Sequence, residues 1–494
     1  MIQEKADTGA EHAQNRNPLS RQEAIAAARR LASDGSFLSL LRRRVAYQTS
    51  SQEAPLGPAM HAYLNQEIRP YLESMGFRCQ IYPNPVARAG PILFAERLEH
   101  DASRCILSYG HADVIRGQED RWRKGLSPWS LQQDGIRVYG RGTADNKGQH
   151  SINLEALRTV LSLRGKLGFN LKLILETGEE TGSPGLADFC RQHEALLRAD
   201  LFIASDGPRI RPELPTVYGG SRGVINFELQ IHARDAAHHS GNWGGLISNP
   251  GIRLAHAIAS ICDARGSIQI PGWRPESLTT EIRDALSGIE VDAGEEGPRI
   301  ESDWGEPGLS SAERVYAWNS FEVLAFQTGN PSAPVNAIPA SANAHCQLRF
   351  VVGTRVEDIL KDLRAHLIAS GFDDVLVLDP VKPAMAATRL DPKHPWCLFA
   401  VSSIQQTLGI TPGVLPNLGG SLPNDVFADI LGLPTVWIPH SYAGCNQHAP
   451  NEHMLMPIIE EGLAIMAGLF WDLGDIDQSE RDIPQVRPPS TVMV

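Results

Sequence analysis

Three short apolar runs in the first half of the chain each end in acidic residues or histidine, and that recurrence restricts the fold more than any other feature. Residues 106–110 (ILSYG) lead into His111 and Asp113, residues 171–175 (LKLIL) into Glu179 and Glu180, and residues 201–204 (LFIA) into Asp206. Runs this short and this apolar read as strands buried on both faces. A helical pattern over 147–164 separates the first two, so crossover connections and a partly parallel sheet are expected. In such sheets the chemically active groups collect beyond the carboxyl ends of the strands. All three runs therefore point polar side chains at one edge.

The rest of the chain fits this plan. Helices are expected at 21–33 and 58–75, the second closed by Gly76, followed by strands at 78–82 and 92–96. From about Thr216 the texture changes to a strand at 224–233, a helix at 250–265 and a Gly-, Pro- and acid-rich stretch up to about Gly308 that carries Glu295, Glu296, Glu301, Asp303 and Glu306. Strands at 321–328 and 342–352, a helix at 356–370 and a strand at 375–378 complete a βαββαβ-like unit. After about Ala386 the α/β pattern resumes, with a helix at 395–408, a strand at 435–439 and a closing helix at 457–471. The expected fold class is α/β, a mixed, partly parallel sheet flanked by helices, with an inserted α+β unit. Residues 19–215 and 386–473 would form one discontinuous domain and 216–385 the inserted one, with a disordered arm at 1–18 and a polar tail at 474–494.

A chain of 494 residues exceeds what one hydrophobic core serves, which agrees with two domains. The net charge of -12 argues against nucleic acid or an acidic membrane surface as partner. Seven scattered cysteines, an odd number with no CxxC pair, suit a reducing compartment. The N-terminus lacks the apolar core of a secretory signal, and no run approaches the roughly 18 apolar residues of a membrane span. A soluble, cytoplasmic protein is expected.

His111, Asp113, Asp145, Glu179, Glu180, Asp206 and His448 together supply enough imidazole and carboxylate to hold two divalent metals and leave one carboxylate as a base. Each has a plainer explanation alone. His-x-Asp makes ordinary hydrogen-bonded pairs, Gly-Glu-Glu starts helices because acids favour the first turn, Asp206 before Gly207 suits a turn, and His448 would cap a loop. Their concentration, mostly at the strand termini of one sheet, points instead to metal-assisted hydrolysis.

Seven motifs carry a more specific likeness: GHAD (110–113), GRGTADNKG (140–148), ETGEETGS (176–183), SDG (205–207), HSGNWGG (239–245), GGSLPND (419–425) and HAPNE (448–452). In this order they resemble the M20 metallopeptidases, which include carnosinase-like dipeptidases, N-acyl-amino-acid deacylases and glutamate carboxypeptidases. The resemblance implies that His111 and Asp206 bind one metal, Glu180 and His448 the other, and that Asp145 bridges them. It makes Glu179 the general base and Asp113 the carboxylate that orients the His111 ring. His239 would sit in a lid and dimerisation domain and stabilise the oxyanion, often in the partner subunit's site of a homodimer, with the adjacent His238 as competitor. Asn336, Arg349, Gly420 and Ser421 resemble positions that hold a substrate carboxylate or the oxyanion, although Arg349 also reads as an exposed strand residue. Trp129, Trp243 and Trp437 either shape the pocket or pack.

The GGSLP segment leans toward the dipeptidase branch, while the stretch between Trp122 and Trp129 matches the family only loosely. The expected activity is cleavage of an amide bond next to a free carboxylate, in a dipeptide or, alternatively, an acylated amino acid, a carbamoyl compound or a terminal glutamate. Mixed nitrogen and oxygen ligands suit zinc, with manganese or cobalt as alternatives. A non-catalytic metal-binding protein is the reading from a different class, and the presence of Glu179 as an extra base speaks against it. A phosphatase lacks a basic or Gly-rich phosphate cradle.

Overall fold

A computed structural model of the protein describes residues 20–53, 57–291, 298–380 and 383–476. The expected arm, nearly all of the expected tail, and Glu295 and Glu296 of the acidic stretch lie outside them.

The larger sheet has eight strands in the order Arg78–Tyr82, Ile92–Arg97, Asn170–Glu176, Cys105–His111, Leu201–Ala204, Thr435–Trp437, Thr216–Tyr218 and Gly413–Leu415. The four strands from Asn170–Glu176 to Thr435–Trp437 run parallel, and antiparallel partners flank them. Alternate residues of these strands serve two different cores. Ile106, Leu171, Leu173, Leu201 and Ile203 face one, with the helices Lys147–Arg164 and Met456–Asp475. Leu107, Tyr109, Ile174, Phe202 and Ala204 face the other. Burial on both faces is why the strands read as unbroken apolar runs.

Register aligns the strand ends. Tyr109 lies opposite both Ile174 and Ala204, and His111 opposite Glu176, so three strands stop at one level. The chain leaves Cys105–His111 to form the strand on one side of it and then returns to form the strand on its other side, which makes this carboxyl end the point where the winding reverses. In sheets of this winding, such a point is where a crevice for polar groups is expected.

Several local features depart from the expected elements. Residues 58–75 form three stacked segments, with a π-helical turn Tyr63–Ile68 between Ala59–Ala62 and Arg69–Ser74. Pro70 has no N–H to donate within a regular helix, and the irregularity lies just before it. Helix Ser36–Val45 was not anticipated, although Phe37, Leu40, Leu41 and Val45 form its buried stripe. The helix expected over 250–265 stops at Ile261, and the closing helix runs on to Asp475, so the first residues of the expected tail are helical. Arg21 of the N-terminal helix holds that closing helix through Asp472 at 2.7 Å.

The second sheet is antiparallel, in the order Ser320–Thr328, Ser341–Phe350, Gly223–His232, Leu376–Leu378. Helices Pro250–Ile261 and Val356–Ala369 cover one face, and Ile225, Phe227, Leu254, Leu348 and Leu363 belong to a core separate from those of the larger sheet. Its elements follow the expected βαββαβ order, and the fold is α/β with an α+β unit.

Leu463 is fully buried between the closing helix and the first core. Leu463→Ala is expected to cost about 2–5 kcal/mol of stability, read from denaturant unfolding followed by far-UV circular dichroism. A loss below about 0.5 kcal/mol would show that this helix does not anchor the sheet.

Candidate metal centre

The strand ends converge. His111 closes its strand, Glu179 and Glu180 lie in a single 3-10 turn three residues beyond Glu176, and Asp206 stands two residues beyond Ala204. Asp145 comes from the turn between strand Arg137–Tyr139 and helix Lys147–Arg164, and His448 from the loop before strand His453–Leu455. His111 Nε2 lies 2.9 Å from Asp145 Oδ1 and 3.5 Å from Asp206 Oδ2. His448 Nε2 lies 3.1 Å from Asp145 Oδ2 and 2.9 Å from Glu180 Oε2. Two donor sets result, His111/Asp145/Asp206 and Asp145/Glu180/His448, each with its ligand atoms within 4.8 Å of one another.

The two oxygens of Asp145 face different histidines, which is the arrangement a bridging carboxylate requires. Neutral imidazole and carboxylate donors at this spacing fit two divalent cations. Without cations, the protons hold the charge together. Burial works against an imidazolium at His111, but hydrogen bonds to Asp113, Asp145 and Asp206 outweigh it and raise its proton affinity well above the ordinary value. Hydrogen bonds to Asp145 and Glu180 push His448 up to about 11. Burial would raise Asp145, yet the two histidines hold its carboxyl well below the usual range. Burial, with Asp145 nearby, pushes Glu180 up to about 7, and burial raises Glu179 strongly despite the opposing His111.

Around these groups the backbone is fixed by buried polar contacts. Asp113 accepts the backbone N–H groups of Glu179 and Glu180 at 3.2 and 3.1 Å, so its carboxylate seats the turn that carries both acids. His111 Nδ1 lies 3.0 Å from the Asp113 carbonyl oxygen and 3.4 Å from its carboxylate, so the main-chain oxygen is the nearer acceptor. Tyr109 and Ser183 donate to Glu176 at 2.7 and 2.8 Å. Asn146 Nδ2 donates to the Ser205 carbonyl at 2.8 Å and ties the Asp145 turn to the Asp206 strand. Gly148 is required where helix Lys147–Arg164 begins, because a Cβ there would collide with the Thr143 carbonyl oxygen. His448 has a φ of 59°, a left-handed conformation that a non-glycine residue adopts only under constraint.

The other predicted residues divide into two groups. Arg349 Nη1 donates to Ser421 Oγ at 3.0 Å, joining the second sheet to the Gly419–Gly420–Ser421 loop. Arg222, which sequence reasoning missed, grips the same loop, with Nε donating to the Gly419 carbonyl at 2.7 Å and its backbone N–H to the Gly420 carbonyl at 3.1 Å. Its position just before a strand gave no signal of this role. Asn336 and His239 belong to neither donor set. Both are exposed; the Asn336 carbonyl accepts from Ser240, and His239 Nδ1 accepts the Gly241 N–H at 3.1 Å. His238 is exposed beside His239, near Trp243. Trp437 is a packing residue, fully buried against Phe202 with its Nε1 donating to Asn424 at 2.7 Å. Trp129 donates to Glu119 at 2.8 Å.

The chain is similar to known proteins in both sequence and fold. The model of peptidase family M20/M25/M40 matches residues 107–472. Among curated proteins, the chain is 30% identical over 405 residues to Cys-Gly metallodipeptidase dug1 of Schizosaccharomyces pombe, covering 78% of this chain and 83% of the relative. It is 25% identical over 403 residues to Beta-Ala-His dipeptidase of Homo sapiens, covering 78% of each. Among solved structures, the dipeptidase Dug1p of Saccharomyces cerevisiae superposes with a TM-score of 0.76 at 20% identity, over 92% of this chain and 98% of that one. Human carnosine dipeptidase 1 gives 0.74 at 21% identity, over 92% and 99%.

The two histidines hold protons at neutral pH in the cation-free protein, because their proton affinities are raised, whereas a ligating imidazole must present its lone pair. Loading the cation-free protein with Zn2+ in weakly buffered indicator solution is therefore expected to release at least about one proton per chain. Metal affinity should fall as pH drops through 7, where Glu180 also takes up its proton. Loading without acidification would count against histidine ligation.

Proposed function

Because the chain belongs to peptidase family M20/M25/M40, we propose that it is a two-metal dipeptidase that cleaves the amide bond of a dipeptide bearing a free C-terminal carboxylate. The observation that carries this reading is Asp145, whose two oxygens face His111 on one side and His448 on the other. We assign His111 and Asp206 to one cation, Glu180 and His448 to the second, and Asp145 to both. Zinc suits these donors, and manganese and cobalt are the alternatives.

Bound there, the two cations supply Lewis-acid activation of the scissile carbonyl and of the attacking water. The protein does the rest. Glu179, adjacent to the ligand Glu180 but outside both donor sets, takes a proton from the water and later delivers it to the departing nitrogen. Asp113 keeps the Glu179–Glu180 turn and the His111 ring in register. Arg349, with Gly420 and Ser421, receives the substrate's carboxylate, a task suited to the planar guanidinium fork. Asn336 and His239 complete the site from a second copy of the chain, with His239 donating to the developing oxyanion.

Homodimer formation is supported by the edge strand Ser320–Thr328, where Val323, Leu324 and Phe326 are exposed. Cytoplasmic placement is supported by seven cysteines that are all free. No helix among the described residues is long and apolar enough to cross a membrane. Similarity to proteins named as dipeptidases supports a dipeptide rather than an acylated amino acid as this chain's substrate.

Glu179→Ala is expected to leave two cations bound per chain and to lower turnover at least about a hundredfold. An unchanged rate removes Glu179 from the base role. With Zn2+, Mn2+ or Co2+ supplied, turnover should be fastest on unblocked dipeptides in a panel that also contains N-acetyl amino acids. A preference for the acetylated compounds would make the protein a deacylase, and no turnover by metal-loaded protein on any of them would favour a binding role.

A further inference from the structure

Glu452 is a carboxylate with 1% exposure, placed four residues after His448 and belonging to neither donor set. It accepts more hydrogen bonds than any nearby acid. Its Oε1 receives the backbone N–H groups of Gly142, Ala144 and Asp145 at 3.0, 2.9 and 3.1 Å. Its Oε2 receives the Gly142 N–H at 3.1 Å and Arg141 Nη1 at 2.7 Å. Arg141 is equally buried and its Nη2 donates to the Ala449 carbonyl at 3.0 Å, so the same guanidinium grips the 449–452 segment at a second point. The Gly140 N–H closes the connection on the Glu452 carbonyl at 3.0 Å.

We propose that Glu452, with Arg141, is the positioning residue that sets the Asp145 carboxylate between the two cations and locks the His448 loop to it. Asp145 must present one oxygen to each cation, so its backbone tolerates little rotation. Three successive polar contacts from residues 142, 144 and 145 to a single carboxylate fix that backbone as a cradle fixes an anion. The same carboxylate lies on the segment that carries His448, so the bridging ligand and the second cation's histidine move as one body. Two charges, one on Glu452 and one on Arg141, neutralise each other and add no net charge beside the cations. This inference rests on the two-cation reading of the site and adds to it a residue that touches no cation.

Glutamine cannot replace Glu452 without cost. Both oxygens face donors, so whichever way a glutamine amide turns, its NH2 opposes N–H groups. Removing a group that orients metal ligands in this way typically weakens metal affinity or activity 10- to 100-fold. In Glu452→Gln, titration against a chromogenic chelator should show both cations bound about 10- to 100-fold more weakly, since both share Asp145. The visible spectrum of the Co2+-loaded protein, which follows coordination geometry, should change, and kcat should fall with KM nearly constant. A variant with wild-type chelator midpoint and wild-type Co2+ spectrum overturns the proposal, even if its melting temperature is lower. If Glu452→Gln does not fold, Arg141→Gln carries the test, with an expected loss of affinity in the same direction and unchanged affinity overturning it. Failure of the wild-type protein to bind two cations would instead sink the two-cation reading itself, so the two failures are distinguishable.

Discussion

Everything in the site depends on one electrostatic constraint: Asp145, Glu179, Glu180 and Asp206 bring four carboxylates together beside the imidazoles of His111 and His448. Such a group cannot stay fully ionised away from water without compensating positive charge. In the absence of cations, protons provide it, which is why His111 and His448 hold theirs so firmly and Glu180 titrates near neutrality. Two divalent cations would carry four positive charges against those four carboxylates.

That concentration of charge is tolerable because the sheet imposes it. His111 opposite Glu176, and Tyr109 opposite both Ile174 and Ala204, bring three strand ends to one level, and the apolar residues that set this register are the ones that make the strands readable in sequence. The strand-end ligands were legible for this reason. Burial on both faces writes a continuous apolar run, and the residue that follows the run falls at the crevice. Asp145 and His448 were less legible from spacing alone. They come from loops, and only the motifs GRGTADNKG and HAPNE marked them.

What the sequence did not reveal is mostly contact between distant segments. Glu452 closes the HAPNE motif, but it is separated from the residues it grips by more than three hundred positions, and the motif does not reveal that contact. Arg222 sits before an ordinary strand, and its grip on Gly419 exists only when the second sheet is in place. The π-helical turn at Tyr63–Ile68 and the helix Ser36–Val45 escaped for smaller reasons. In the first, one proline upset an otherwise regular pattern. In the second, three arginines at 42–44 fall between Leu41 and Val45 and break up the apolar stripe.

The chemistry and the specificity of this protein rest on different parts of the molecule. All five candidate ligands and Glu179 belong to segments packed on the larger sheet, so their geometry follows from one body. Arg349 belongs to the second sheet, whose core is separate, and it reaches across to Ser421 on a loop of the first. The carboxylate site proposed at Arg349 and Ser421 therefore lies where two separately packed cores meet, and His239, proposed to act beside it, is exposed on a single chain. Small changes at that junction would alter which substrate fits while leaving the ligands untouched. This separation explains why the reaction type can be read from the ligand set, whereas the choice among peptides and acylated amino acids depends on contacts that strand-end motifs do not encode.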